Sequence, residues 1–244
     1  MASFVSNVTA VALVLWCLAH DRDRCHLIDN VLPDVPVRQW VLTFPWPLRF
    51  LFARQPKAFS RCLTVIIRAI ETDLIKRAGL SRKSGAKGGA VTLIQRFGSS
   101  LNLNVHAHML ILDGVYITDA EGSPRFHPVK TPTQKQLDCL LNRIIQRVIR
   151  TLVKDGYLIE DAVQPGLDLS DHDPLDQLHA ASCRYTIAMG PGQGNRVLTI
   201  HNPALVQPNQ PRKTLTSNQN AFSLNAAVAC QPHQRDRLSV YAAT

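Results

Sequence analysis

Two histidines, His106 and His108, flank a single alanine in a segment whose side chains alternate between apolar and polar types. Such alternation is typical of a β-strand with one face in a core. On a strand both imidazoles lie on the same face, about 7 Å apart by strand rise, and their rings can converge on one ion. Imidazole nitrogens, completed by oxygen ligands from water or phosphate, suit a divalent metal that polarises a phosphodiester.

The same alternation assigns a face to each neighbour of the histidine pair. Asn102 and Asn104 share the histidine face and are candidate DNA contacts beside the metal. Asp113 follows as either a turn residue or a partner that orients a ligand histidine. A His-x-His pair also occurs by chance in structural strands. The opposite face is expected to enter a core through Leu101, Leu103, Val105, Ala107, Met109 and Ile111.

The composition favours a folded protein with a polyanionic partner. The chain has 244 residues, of which 45% are apolar, and this is enough for a substantial core. Lys and Arg number 27 against 18 Asp and Glu, a formal charge of +9. Binding to phosphates releases counterions, so this excess suits nucleic acid. A basic protein without such a partner is the alternative.

The cysteines and the N-terminal apolar run bear on location. None of the six cysteines is spaced in the C-x-x-C manner, which indicates reduced thiols in a cytoplasmic protein rather than a zinc knuckle. The apolar run at residues 8–19 is shorter than the about 20 residues of a membrane span. No basic side chain precedes it, as a secretory signal would require. We therefore expect no membrane association.

The elements around the histidine segment are predicted to form an α+β fold, an antiparallel β-sheet with packed helices. Residues 90–97 and 101–112 are expected to pair as an antiparallel hairpin. Residues 118–132, 160–180 and 202–220 are predicted to be loops or linkers. Helices are predicted at residues 56–78 and 133–154, and further strands at residues 37–44, 115–117, 183–188, 196–200 and 222–230.

Two groups of basic residues are candidate DNA-binding surfaces. Lys83 and Lys87 lie in a glycine-rich loop at residues 81–89. On the second predicted helix, spacings of four, three and four form a single basic stripe. Both groups could contact phosphates, and both could equally be solvated surface charges. The stripe consists of Arg143, Arg147, Arg150 and Lys154.

Three segments resemble blocks of the bacterial rolling-circle insertion-sequence transposases, members of the HUH (His-hydrophobic-His) endonuclease superfamily. They are residues 32–45, residues 89–108, which end on the histidine pair, and residues 222–229. The resemblance implies the HUH fold, related to the RRM-like palm and incomplete here. It also implies a partial catalytic domain over residues 26–238.

The resemblance implies a chemistry as well. In that family the histidine pair holds Mg²⁺ or Mn²⁺ against the scissile phosphate of single-stranded DNA, and a tyrosine attacks to form a 5′-phosphotyrosine link. It thus implies a transposase that acts on single-stranded transposon ends. His106 and His108 carry over as metal ligands, whereas Asn225 stands where relatives often carry histidine.

Both ends of the chain depart from the family pattern. Relatives begin with a cysteine-rich zinc-binding domain and carry their tyrosine in a block resembling E-R-L-C-R-Y-I-T-R-P. One allowed codon spelling of residues 239–244, with one guanine restored before it, reads E-R-L-C-R-Y, and residues 20–26 behave alike in a shifted frame. Residues 1–25 and 239–244 are therefore expected to be frameshifted. Tyr241 is then not the family tyrosine, and the competing hypothesis makes Tyr241 the catalytic nucleophile.

The predicted function is therefore a truncated transposase with impaired or no cleavage. A non-catalytic nucleic-acid-binding remnant is the alternative, and its binding would be insensitive to chelator and sensitive to salt. A decayed fragment without function is a third hypothesis. A barrel-type metallohydrolase is disfavoured because βα alternation is missing and the histidine pair lies mid-chain.

Overall fold

The computed structural model describes residues 32–98, 102–159, 174–196 and 215–234, and the backbone of two short strands outside these ranges. None of the helices within the described ranges is both long and apolar enough to cross a membrane. In chain order the elements are β1 (Ala12–Leu15), β2 (Val37–Thr43), α1 (Trp46–Arg54), α2 (Pro56–Arg77), β3 (Ala90–Phe97), β4 (Leu103–Leu112), β5 (Gly114–Thr118), β6 (Pro124–Pro128), α3 (Gln134–Lys154), β7 (Leu158–Ile159), β8 (Gly166–Leu167), α4 (Pro174–Arg184), β9 (Thr216–Gln219) and β10 (Phe222–Cys230).

The main sheet has six strands in the order β1-β3-β4-β2-β10-β9. Strands β3, β4, β2, β10 and β9 are antiparallel to their neighbours, and β1 runs parallel to β3 at one edge. The antiparallel strands with the helices form the predicted α+β fold. Strand β4, which carries the histidine pair, lies between β3 and β2 and is hydrogen-bonded on both sides. Its side chains are therefore fixed in direction by two neighbours.

One face of the sheet forms the main core against α2 and α3. The apolar side chains of β4 from Leu103 to Ile111 point into it, as the alternation predicts. Helix α3 begins at a Thr133 capping box, in which the Thr133 hydroxyl accepts from the Gln136 backbone and the Gln136 side chain accepts in return. Burying these helix faces removes several hundred Å² of apolar surface from water, the main source of stability.

The opposite face, which carries the histidines, has a smaller apolar cluster at its far end. Val37, Val91, Leu110 and Leu112 pack there with Cys230, and Tyr116 and Phe126 from the β5–β6 hairpin cover part of the cluster. The hairpin closes tightly at Gly114, where an added Cβ would meet the His127 carbonyl oxygen at 2.4 Å. This cluster does not include the end of the face where His106 and His108 lie.

A buried ion pair, Arg38 with Asp113, joins four parts of the fold. The Arg38 guanidinium donates to both carboxylate oxygens of Asp113, at 3.1 and 2.6 Å. It also donates to the Ala226 carbonyl oxygen in the β10 bulge and to the Thr131 hydroxyl, both at 2.9 Å. Asp113 is thus committed to Arg38 and does not orient a ligand histidine.

The structure contains helices and strands that the sequence did not predict, namely α1, α4, β1, β6, β7, β8 and β9. The predicted loop at residues 160–180 contains most of α4, and the predicted strand at residues 183–188 is wrong because Cys183 and Arg184 complete that helix. Tyr185, at φ 61°, ends the helix, and Thr186 makes only an isolated bridge to Arg196. Residues 197–200 and Leu101 lie outside the described residues.

We expect Arg38→Met to lower the free energy of unfolding by about 3–5 kcal/mol, because the Asp113 carboxylate would remain buried without its partner. Urea unfolding followed by circular dichroism measures this. Arg68→Met is the matched control: Arg68 is exposed on α2, so the loss should be at most about 1 kcal/mol. Equal losses in the two variants would contradict the importance of the Arg38 pair.

Candidate metal centre

Strand β4 places the two histidine side chains side by side on the face away from α2 and α3. The ring centroids of His106 and His108 are 4.8 Å apart and the rings are tilted by 55°. Both residues are buried, at 8% and 9% exposure. The predicted juxtaposition on one face is confirmed, and the separation allows both rings to reach a common ion.

The cross-strand neighbours explain the electrostatics of the pair. His108 lies between Leu93 of β3 and Val41 of β2, an apolar setting. Burial, and then the nearby His106, lower the pKa of His108 from 6.5 to about 4. Burial also lowers the pKa of His106. The backbone hydrogen bond to Asn104 acts in the opposite direction, and the positive charge of Arg49 lowers the pKa further. Both imidazoles are therefore neutral at pH 7, the form that binds metals.

The hydrogen bond of His106 fixes its tautomer. Its Nδ1 lies 2.6 Å from the carbonyl oxygen of Asn104. A carbonyl oxygen only accepts, so Nδ1 carries the proton and donates. The lone pair is then on Nε2, and the ring orientation is held by the backbone. This is the arrangement in which a histidine serves as an Nε2 ligand.

The ring of His108 has one nitrogen in contact and one without a partner. Nδ1 is 3.2 Å from the amide nitrogen of Gln39 on β2. Nε2 is buried and has no hydrogen-bond partner within the described chain. The Gln39 amide has a second orientation, turned by half a rotation, in which its oxygen faces Nδ1. In that orientation the oxygen accepts from Nδ1–H, and the Nε2 lone pair is free for a metal. A buried polar atom without a partner is costly, and a bound cation would satisfy it.

The donor set limits the kind of metal site that fits. No group of three or more His, Cys, Asp and Glu side chains suited to a metal occurs in the parts of the chain that the structure describes. A structural zinc site requires a closed shell of about four protein ligands. Two neutral imidazoles with the other positions left to oxygens of water or phosphate instead form an open site that suits a divalent ion. The residues present fit such an ion.

The asparagines near the pair have different surroundings. Asn104 has a buried Oδ1 without a hydrogen-bond partner among the described residues, two positions from His106. Asn102 lies just before β4, where its Oδ1 accepts from the Tyr185 hydroxyl at 2.8 Å. Asn225 is two strands away, and its amide is engaged by Thr216 and by the Ala227 backbone. Asn104 is therefore the asparagine with an oxygen left for the site.

The predicted basic surfaces lie away from the histidine pair. Lys83 and Lys87 are exposed before β3, beyond the end of β3 that pairs with Ile111 rather than with His106. The α3 stripe is on the helix side of the sheet. Burial lowers the pKa of Arg147, and the positive charges of Arg143, Arg82 and Arg150 lower it further. These residues form a separate positive surface on the helix side, and the ion pair between Arg143 and Asp73 is long, at 3.7 Å.

The tyrosines have separate positions. Tyr185 donates to Asn102, and Tyr116 packs on Phe126 with ring centroids 5.1 Å apart. Burial raises the pKa of Tyr116, which disfavours the phenolate. Tyr241 lies outside the described residues.

Sequence reasoning missed Arg49, on the unpredicted helix α1. Burial lowers the pKa of His106, and the charge of Arg49 lowers it further. The Arg49 Nε–H donates to the carbonyl oxygen of Phe44, the residue after the cross-strand partner of His106. No spacing in the sequence links residue 49 to residue 106, because the link depends on how α1 packs against β4. Pro47 occupies the first turn of this helix, where proline is tolerated.

Comparison with known proteins finds a similarity in the part of the chain that contains the histidine pair. A family model described as "Putative transposase" matches residues 89–190, less than half of the chain. The matched region runs from β3 into the segment after α4 and contains both histidines. This similarity supports a transposase and a role in DNA transposition. No curated protein and no solved structure matches the chain.

The lowered pKa of His108 predicts a pH dependence of stability in the metal-free protein. The unfolded chain takes up this proton near pH 6.5 and the folded chain only near pH 4, so the free energy of unfolding should fall as the pH drops between them. The expected loss is about 3 kcal/mol for this residue. Urea unfolding in chelator at about pH 7 and about pH 4.5 measures it.

The His108→Gln variant should lose this part of the pH dependence. His127→Gln, on the exposed strand β6, is the matched control and should retain it. An unchanged pH dependence in His108→Gln would show that the ring is not buried in its neutral form.

Proposed function

We propose that the protein is a transposase of the HUH rolling-circle type whose chain binds a divalent metal and single-stranded DNA ends. The observation that carries this proposal is the pair of neutral, adjacent imidazoles on the central strand, with Nε2 of His108 buried and unpaired. The pair lies inside the region that is similar to transposases. A second support is the excess of basic residues.

The proposed chemistry is a transesterification at a phosphodiester. Bound Mg²⁺ or Mn²⁺ would act as a Lewis acid on the scissile phosphate. His106 and His108 would hold the ion, and their rings are oriented by contacts with the Asn104 carbonyl oxygen and the Gln39 amide. A tyrosine oxygen forms a bond to phosphorus, the bond to the 3′ oxygen breaks, and the tyrosine proton is transferred to that oxygen. The products are a 5′-phosphotyrosine link and a free 3′ hydroxyl.

The described part of the chain supplies the metal site better than the nucleophile. Tyr185 and Tyr116 are engaged in contacts away from the histidines. On the frameshift hypothesis, the family tyrosine is encoded in another reading frame. We therefore propose that this chain binds metal and DNA with impaired or no cleavage. The alternative is a non-catalytic remnant that binds nucleic acid. It differs from the proposed function in that no functional metal is bound.

Mn²⁺ should raise the melting temperature of the wild-type protein but not of the His106→Ala, His108→Ala double variant. At a hundredfold excess over Kd, binding stabilises the folded state by about 2.7 kcal/mol, or about 5–10 °C for a chain of this size. Differential scanning fluorimetry measures the shift. His127→Ala controls for loss of a surface histidine. An equal shift in wild type and double variant would rule out the histidine pair as the metal site.

With Mn²⁺ and a labelled single-stranded oligonucleotide, we expect binding but no covalent protein–DNA adduct on a denaturing gel. The reason is that the proposed frameshift removes the family tyrosine while the metal site remains. An adduct that forms in wild type and disappears in Tyr241→Phe would contradict this and identify Tyr241 as the nucleophile. Tyr116→Phe serves as the matched control.

A further inference from the structure

Helix α1 brings an arginine to the end of the sheet where His106 lies. The chain leaves β2 at Thr43, the cross-strand partner of His106, and enters α1 three residues later. The Arg49 Nε–H donates back to the carbonyl oxygen of Phe44, the residue after Thr43. The guanidinium is therefore tied one residue away from the partner of a proposed metal ligand.

Two further contacts hold α1 in this place. Arg96 of β3 donates to the carbonyl oxygen of Ala53 near the end of α1, at 3.0 Å. Arg54 forms an ion pair with Asp176 of α4. Helix α4 is in turn joined to the start of β4, where the Ser182 hydroxyl accepts from the backbone N–H of Leu103 at 2.9 Å. The position of Arg49 is thus defined by three elements and does not depend on a loop.

Arg49 is a half-buried arginine with no anionic partner within the described chain. Arg38, Arg54 and Arg77 each pair with an aspartate. Arg49 is half-buried, and neither of its terminal nitrogens has a hydrogen-bond or ion-pair partner within the described chain. Burial lowers its pKa, which shows that the charge is incompletely solvated. A cation in such a setting is stabilised by an anion.

The surroundings favour an anion from outside the protein. Cys183, whose pKa is raised by burial to about 11, and the neutral His106 are the groups electrostatically coupled to Arg49, and neither is negatively charged at pH 7. At the same edge, the Arg184 guanidinium lies 4.1 Å from the ring centroid of Trp46, which is 39% exposed. A cationic edge with an accessible aromatic ring suits a nucleic-acid strand.

We propose that Arg49 binds a non-bridging oxygen of the same phosphate that the histidine pair addresses. The proposal rests on the proposed function and deepens it by naming the residue that seats the scissile phosphate. The Nε–H bond to Phe44 uses one of the five guanidinium donors and leaves the terminal pair for a phosphate. Arg49 would contact the phosphate from the α1 side while the histidines address it from β4.

The first test measures binding of a fluorescein-labelled single-stranded oligothymidylate by fluorescence anisotropy, in Mn²⁺ and in chelator. Arg49→Gln should weaken binding in Mn²⁺ by about 10- to 100-fold, the range for one charge-assisted contact. The slope of log affinity against log salt should decrease by about one. Arg68→Gln is the matched control, because Arg68 is exposed on α2 at the helix side of the sheet. It should change affinity by less than about threefold, since such charges interact weakly.

A second variant guards against misfolding. Arg49→Lys keeps the charge and loses the bidentate geometry, so it should bind DNA with an affinity between wild type and Arg49→Gln. In both variants the shift in melting temperature caused by Mn²⁺ should equal that of wild type, which shows that the fold and the metal site are intact. The proposal is overturned if Arg49→Gln binds DNA as Arg68→Gln does, or if Arg49→Lys binds no better than Arg49→Gln.

The two failures can be told apart. If wild type shows no Mn²⁺ shift, the proposed metal function fails whatever Arg49 does. If the shift is present and Arg49→Gln retains full DNA affinity, the metal site stands and the role of Arg49 is wrong.

Discussion

The buried pair between Arg38 and Asp113 is the interaction on which the rest of the fold depends. Arg38 projects from β2 to the helix side, where its four hydrogen bonds fix the end of β4, the bulge of β10 and the approach to α3. These are segments far apart in sequence. Arg38 is only 3% exposed, so the loss of these partners would leave a buried charge unpaired. The strands must therefore align to supply them. The pair thus helps to set the register of β2 against β4.

That register determines the site on the opposite face. Because side chains alternate, the alignment that buries Arg38 on the helix side places Gln39 and Val41 beside His108 on the other. The apolar flanks remove water and keep the imidazole neutral, while Gln39 and the Asn104 carbonyl orient the rings. A shift of one residue would exchange the faces and destroy both the ion pair and the histidine site. Stability and chemistry therefore share one geometric constraint.

The positive charge of the chain is divided between two surfaces. Arg82, Arg143, Arg147 and Arg150 are coupled on the helix side, whereas Arg49 and Arg184 lie at the histidine end of the sheet. The first surface is solvated and several charges repel one another, which suits a weak, salt-sensitive hold on a polyanion. On the second surface Arg49 is half-buried near the neutral His106 and Arg184 is exposed beside Trp46, which suits one phosphate at a defined place. A net charge of +9 does not distinguish these two surfaces, but their positions on the sheet do.

The sequence by itself determined the strand β4, the common face of His106 and His108, helices α2 and α3, and the α+β class. These follow from local periodicity, because a period of two or 3.6 is visible in a single segment. Helix α1, the polar edge strands β6 and β9, and helix α4 were decided by tertiary contacts, since their own patterns are short or polar. The place of Arg49 beside His106 and the pairing of Asp113 with Arg38 were likewise fixed only in the folded chain. Each joins residues distant in sequence, and no local pattern records which strands and helices will meet.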